Sequence, residues 1–362
     1  MLIEQATGQS GRRAFHRVCT TVYSEFPHYR GSEGDVEKLL TGGKSAFHTH
    51  ATVRLFLIRD ANDLIGRFAL IHDRNLPRYI QVSFFEALPG LNGLMKMIRA
   101  EAIRHFPHCK KLVVGLNGHL NYSAGFLLNC YNEPPVFGLP YTPPYYPGYF
   151  ADLMARRMVS FRFPVQQVAD WITASSNNTI TGGITARCMD KKQIKRDCAL
   201  YTYLNNACFT EHPFWSDRSE DEDFELFHPY RFLFDESNLI FAEHEGKVIG
   251  FILWYPDFNQ LVRTQRGLNI FDLLRFRLHN PIDTFRLTEI GVLPRYRKRW
   301  ASIVMMQKAL PYILEAGYSS CEGGFIFEEN QASMALTSRI MQGAFQKKVE
   351  PYRYYAVYEG TL

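Results

Sequence analysis

Glu289 to Leu310, EIGVLPRYRKRWASIVMMQKAL, reads as a strand, a basic turn and a helix. A helix that starts near Ala301 leaves its first N–H groups without intrahelical acceptors, and the helix dipole adds partial positive charge there. That arrangement stabilises a phosphate or diphosphate, so the turn is a candidate cradle for a nucleotide-like cofactor. Arg295, Arg297, Lys298 and Arg299 put four cations within five residues of the same turn. Trp300 and Ser302, however, stand where close approach of backbone to phosphate favours glycine. A solvated basic turn is the competing reading.

Three further groups of polar or aromatic residues could contact a ligand. Asp257 and Asn259 follow the apolar run FILWYP and could line a substrate mouth, although Asp and Asn also build turns. Asn117, His119, Asn121 and Tyr122 follow the short buried strand KLVVG, a place where α/β proteins set ligand contacts; Asn121 could also cap a helix. Tyr145 lies in the aromatic, proline-rich stretch Asn132 to Phe150, which is either an ordered loop or a wall of a substrate pocket.

The seven cysteines show no CxxC pair and are odd in number, and His228 and His244 are isolated, so no metal and no disulfide framework is expected. No GxSxG, GxxxxGK[ST] or GxGxxG stretch supports a hydrolase, P-loop or dinucleotide enzyme. A formal charge of +5 over 362 residues is too small and too spread for a DNA-binding footprint. There is no secretory leader and no apolar run near the roughly 18 residues that span a bilayer, so a cytoplasmic protein without a membrane partner is expected.

Stepping outward, the elements that must hold these residues occur twice. The first half gives a helix from Gly11, a hairpin over Thr52–Ile58 and Leu64–Ile71, a strand at Tyr79–Phe85, a helix at Gly93–Phe106 and a strand at Lys111–Gly115. The second gives a strand at Ile184–Met189, a helix at Ile194–Phe209, an acidic helix start at Glu220 and a hairpin over Leu239–His244 and Lys247–Tyr255. A strand at Phe285–Val292, a helix at Ala301–Ala316, a strand at Ser319–Phe327, a helix at Gln331–Met341 and a strand at Tyr352–Tyr358 follow. An internal duplication of one α/β unit is expected, with domains at 1–170 and 171–362 and a linker between Val168 and Gly183.

The segment containing Val292, Pro294 and Arg297 resembles the cofactor motif of the GNAT acyltransferase superfamily, in which a strand ends in V-x-P and an Arg or Gln precedes two small residues. Asn330 and Ser333 resemble that family's Asn-x-x-Ala/Ser helix start. Stretches such as GRFALIHDRN and PPVFGLPYTPPYYP resemble the bacterial two-domain GNAT-like proteins, so the likeness covers nearly the whole chain. It implies an α/β (α+β) fold of tandem acyl-CoA N-acyltransferase-like domains, each a mixed, mainly antiparallel sheet flanked by helices and split open by the cofactor.

It also implies acyl transfer from acetyl-CoA or another acyl-CoA, or from an acyl carrier protein thioester, to the amine of a small molecule. Alternatives are an aminoacyl-tRNA donor, compatible with Lys96, Arg99, Arg104, Lys110 and Lys111, and a scaffold that has lost catalysis. By resemblance, Val292, Arg297, Lys298, Arg299, Trp300, Ala301, Ser302, Asn330 and Ser333 form the cofactor site. Glu289 is the expected base, although it could equally pair Arg286 or Arg297. The family's usual Tyr acid falls at Thr337, which leaves Tyr352, with Tyr354 or Tyr355 as alternatives on the last strand, as the candidate substitute acid, although each could simply be an aromatic strand residue.

Overall fold

The computed structural model describes residues 1–31, 34–176, 182–262, 265–297 and 300–362. A first unit runs β1 (Leu2–Gln5), α1 (Gly8–Val22), α2 (Gly34–Thr41), β2 (Ala51–Asp60), β3 (Asp63–Asp73), β4 (Tyr79–Ala87), α3 (Leu94–His105), β5 (Lys111–Val114). β6 (Phe126–Leu127), α4 (Tyr146–Tyr149), β7 (Met154–Pro164) and α5 (Val165–Ser176) follow. The first order then returns as β8 (Ile184–Cys188), α6 (Ile194–Phe209), α7 (Glu220–Phe227), β9 (Leu239–His244), β10 (Lys247–Pro256), an inserted α8 (Ile270–Leu278), β11 (Thr284–Val292), α9 (Ala301–Glu315) and β12 (Ser320–Phe327). α10 (Gln331–Phe345) and β13 (Arg353–Thr361) close it.

The thirteen strands among the described residues form one sheet, ordered β1-β2-β3-β4-β5-β13-β7-β12-β11-β10-β9-β8, with β6 also on β13. The units exchange strands at its centre: β7 pairs with β12 of the second unit, and β13 returns to pair with β5 of the first. Helices cover both faces. In the second unit the strands alternate as a two-sided sheet requires, with Ile240, Ala242, Ile252 and Trp254 in the core under α9 and Phe241, Phe251 and Leu253 in the core under α6.

Local chemistry sets several boundaries. α7 begins at a capping box in which Ser219 and Glu222 satisfy each other's backbone N–H, and acids fill its first turn. The β9–β10 hairpin closes on Glu245 and Gly246, both at positive φ, as a tight two-residue turn demands. α7 also fastens the units together: Glu225 accepts from Ser45 Oγ at 2.7 Å, and Glu222 lies 3.2 Å from His50.

Two expectations are corrected. The proposed linker is helical through Ser176, with Ala169 and Ile172 buried, and its residues 177–181 lie outside the described residues. The central strand β7 occupies a stretch for which the sequence suggested no strand. No helix among the described residues is long and apolar enough to cross a membrane.

Candidate active site

β11 and β12 are parallel neighbours that pair only over Thr284–Leu287 and Ser320–Gly323. Beyond Leu287 they part. Across β10, Leu253 faces Glu289 and Trp254 faces Leu287, which leaves Thr288 as a β-bulge. The extra residue reverses the side-chain alternation: Phe285 packs under α9, whereas Glu289 reaches the α6 face.

Glu289 accepts hydrogen bonds from Tyr201 Oη, 3.0 Å from both carboxylate oxygens, from Asn121 Nδ2 at 3.1 Å, and from Asn205. Tyr201 and Asn205 sit one turn apart on α6 and so share a face. Asn121 comes from the first unit and is held by its neighbour His119, whose Nδ1 accepts the Asn121 N–H at 3.0 Å while Nε2 contacts the Ser216 carbonyl at 2.9 Å. Burial keeps His119 neutral. Burial also raises the Glu289 pKa, opposed by Arg218, which is paired with Asp223 at 2.7 Å.

The split opens into a cavity of about 300 Å³ that passes through the sheet. On the Glu289 side its walls include α6, α7 and residues 120–123 of the first unit; on the other side they are α5, α9 and α10. Among the described lining residues Glu289 and Arg286 carry the only formal charges, and the walls are otherwise mostly aromatic and aliphatic. Arg286 is spent on protein groups, bonding the Gly324 carbonyl at 3.0 Å and Tyr255 Oη at 2.9 Å. Asn330 caps α10 by accepting the Ser333 N–H at 3.1 Å and donates to His212 Nε2 at 2.7 Å. Burial lowers His212 to about 4, so its imidazole is neutral at pH 7.

The turn before α9 answers the question of its missing glycines. Trp300, the N-cap, has φ 66° and ψ 1°, the left-handed conformation for which glycine is suited. The backbone of the cradle is therefore kept, and the indole is anchored beside Arg339 of α10, 4.8 Å from its guanidinium carbon. Ala301 and Ser302 begin the helix, with N–H groups that have no acceptor within it. Val292 ends β11. Arg297 donates to the carbonyls of Val292 at 3.3 Å and Cys208 at 2.9 Å. Lys298 and Arg299 lie outside the described residues.

Other expected site residues are placed elsewhere. Tyr352 does not line the cavity; it bonds Glu133 and accepts from Arg162 at 3.0 Å, which corrects its assignment as acid. Asp257 is buried, accepts the N–H groups of Phe137 and Asn259, and is raised to about 7 by burial. With Asn259, which donates to the Pro135 carbonyl, it pins the proline-rich loop and lines no mouth of the cavity. Asn117 accepts the Phe84 N–H at 2.8 Å within the first unit, and Tyr145 donates to the Ala87 carbonyl. The fold also brings ligating atoms of His72, His108 and Cys109 within 4.8 Å of one another, a grouping that the sequence spacing does not suggest. None of the three lines the cavity.

Sequence reasoning missed Tyr201, Asn205, His212 and Arg218. A polar pair one turn apart in the apolar stripe of α6 was the available signal for the first two. His212 and Arg218 lie between α6 and α7, where no periodicity marks them.

A duplicated unit whose parallel strands part beside a bulge defines a protein of the tandem GNAT fold. Comparison supports this: the Acetyltransferase (GNAT) family model matches residues 200–341, so the second unit carries the family signature. A tandem GNAT protein from the clavulanic acid biosynthesis pathway aligns over 99% of this chain and 98% of its own, at 12% identity and a TM-score of 0.57. A GCN5-related N-acetyltransferase from Sphaerobacter thermophilus aligns over 99% and 95%, at 12% identity and a TM-score of 0.51. In sequence, the chain is 21% identical over 349 residues to a protein of Caulobacter vibrioides named bacterial ceramide synthase, covering 89% of this chain and 87% of that one. The family model thus matches the second unit, and the structural neighbours show that the chain as a whole has the tandem GNAT fold.

Proposed function

We propose that the protein is an N-acyltransferase that moves an acyl group from a thioester to the amine of a small, lipid-like acceptor. The carrying observation is Glu289: a half-buried carboxylate, turned by a bulge toward a cavity that runs through the parted strands. In the transfer the amine nitrogen forms a bond to the acyl carbon, the carbon–sulfur bond breaks, and the proton lost by the amine balances the one gained by the thiolate. Glu289 takes that proton directly or through a water, and its raised pKa brings it nearer to working pH. Tyr201 and Asn205 hold the carboxylate in place.

Coenzyme A is the assigned carrier, because the αL backbone at Trp300 keeps the first N–H groups of α9 open to a diphosphate. A thioester on an acyl carrier protein, or an aminoacyl-tRNA, would meet the same turn. The half of the cavity between α5, α9 and α10 is lined by Val168, Ile172, Ile313, Ile340 and Met341. It suits an alkyl chain, each buried methylene contributing about 0.8 kcal/mol. The relative from Caulobacter vibrioides agrees, since a ceramide is an amide of a fatty acid.

The test is to mix purified protein with acyl-coenzyme A of increasing chain length and a long-chain amine, then measure thiol release and the mass of the amide. The expected result is an amide product with a preference for long chains. Thiol release with no amide, or none at all with any carrier, would sink the proposal.

A further inference from the structure

Among the described residues, twelve large apolar side chains are strongly exposed, and five of them gather in one place: Ile270, Phe271, Leu274 and Leu278 of α8, and Phe232 beside it. The helix has two unlike faces. Phe276 and Asp272 are buried, and Phe276 packs edge-on against Phe258 at 5.4 Å. Placed at 3.6 residues per turn, Ile270, Leu274, Leu278 and Phe271 fall within an arc of about 100° on the outward side. Leu278 is 86% exposed and Phe271 is 74% exposed. An outward apolar arc of this size has no reason to exist on a helix that faces only water.

Its borders are cationic. Arg277 falls at one edge of the arc, where Asp235 pairs it at 3.3 Å, and Arg275 at the other, both exposed, and Arg231 lies over the Phe232 ring at 4.2 Å and adds a further cation. Arg277 reaches the Phe232 carbonyl at 2.6 Å and so ties the exposed phenyl to the helix. Leu, Ile and Phe flanked by arginines is the composition of a helix that lies in a bilayer interface, with side chains among the acyl chains and guanidinium groups at the phosphates.

We propose that α8 and Phe232 form a docking surface for an anionic lipid membrane, in place of the absence of a membrane partner expected from the sequence. The charge of the rim selects this occupant, since a second copy of the chain would bring the same arginines against each other. The helix is also joined to the cavity wall: Phe258, on which Phe276 packs, meets Phe137 edge-on at 5.3 Å and a tilted Phe234 at 6.4 Å, and both line the cavity. Docking through α8 therefore sets the substrate cavity one aromatic layer from the bilayer.

The test uses the full chain and sedimentation with vesicles of phosphatidylcholine, with and without phosphatidylglycerol. Binding should require the anionic lipid and fall as salt is raised. Phe271→Glu and Leu278→Glu should each lower it at least tenfold, and Arg275→Glu roughly fivefold or more, at one charge-contact each. Melting temperature should not change, because these side chains are exposed in the folded protein. Absence of binding to anionic vesicles, or equal binding by the variants, would overturn the proposal. So would a dimer, seen by sedimentation velocity, that Phe271→Glu dissociates while vesicles stay unbound. Vesicle binding needs no turnover, so its result stands apart from whether the acyl transfer itself is found.

Discussion

The two units open their sheets in the same way and use the opening differently. β4 and β5 pair in parallel over Tyr79–Val82 and Lys111–Val114 and then part, as β11 and β12 do. Each parting strand carries a bulge, and the first residue back in the ladder is a glutamate: Glu86 opposite Arg67, and Glu289 opposite Leu253. In the first unit the chain after β5 fills the gap. Ser83 Oγ donates to the Leu116 carbonyl, Gln81 exchanges two hydrogen bonds with Gly118, and the Phe126 ring lies so near Gly115 that a Cβ there would meet it at 2.5 Å. Only about 50 Å³ remains. In the second unit the gap is open and leads to Glu289. One copy of the fold has thus become a wall, lending Asn121 to the other, and the glutamate that looks equivalent is locked by Tyr23, Tyr146 and the buried Arg67–Glu37 pair.

The largest effect should separate the two glutamates. Glu289→Gln is expected to lower amide formation about a hundredfold to ten-thousandfold, the range for a lost proton acceptor, with little change in melting temperature. Glu86→Gln should keep the rate within about threefold. Equal losses would break the comparison and give the first unit a share in catalysis. Next, Arg67→Met leaves Glu37, which Arg67 contacts at 2.6 Å, as a buried charge without its cation, and should cost about 3–5 kcal/mol in urea unfolding. A loss below about 1 kcal/mol would mean that the plug is held by packing alone.

A pH series sharpens the same contrast. Burial raises Glu86 to about 7, above its ordinary value of 4.5, so folding takes up a proton between the two. Stability is fully present below the ordinary carboxylate range and declines as pH rises toward 7, by up to about 3 kcal/mol. Asp257, also raised to about 7, adds a decline of the same sign. Glu37 is held near 2 and acts oppositely, its contribution being lost only as pH falls toward that value. Urea midpoints at about pH 5 and about pH 8 should therefore differ less for Glu86→Gln than for the parent. An unchanged difference would assign the slope to Asp257.

What could be read from the residues divides along local and non-local lines. α6 was expected at its observed bounds, and the β9–β10 hairpin within a residue, because period and turn chemistry act over short distances. β7 was missed: MARRMVSFRFP carries three arginines, and its partners are β12 and β13, more than 150 residues away. α5 was hidden by the polar tail that follows it. At the site, resemblance pointed to Glu289, yet its neighbours come from two segments far from it in sequence, the loop after β5 and helix α6. Helical spacing joins Tyr201 to Asn205, but no spacing rule joins either to Asn121 or to Glu289. The Asp257 and Asn259 turn reading described their structural part, because such residues bond local backbone first.

Trp300 gives the finest test of whether the open unit still works as a cofactor cradle. Its positive φ costs about 1 kcal/mol or more in a residue other than glycine, while its ring gains about 0.5–1 kcal/mol beside Arg339 together with some apolar burial. The opposing terms are similar, so Trp300→Gly should move the melting temperature by no more than about 4 °C. Affinity for coenzyme A is the informative readout. If the N–H groups after Trp300 hold the diphosphate, removing the indole frees their approach and binding tightens severalfold, measurable by calorimetry. If binding weakens instead, the indole itself contacts the nucleotide, and the tryptophan is a replacement for the glycine cradle and not an obstacle within it. The plugged first unit has Gly93 at the matching N-cap of α3, with φ 73° and ψ 7°, so the two turns share one backbone conformation and differ in the side chain that it carries.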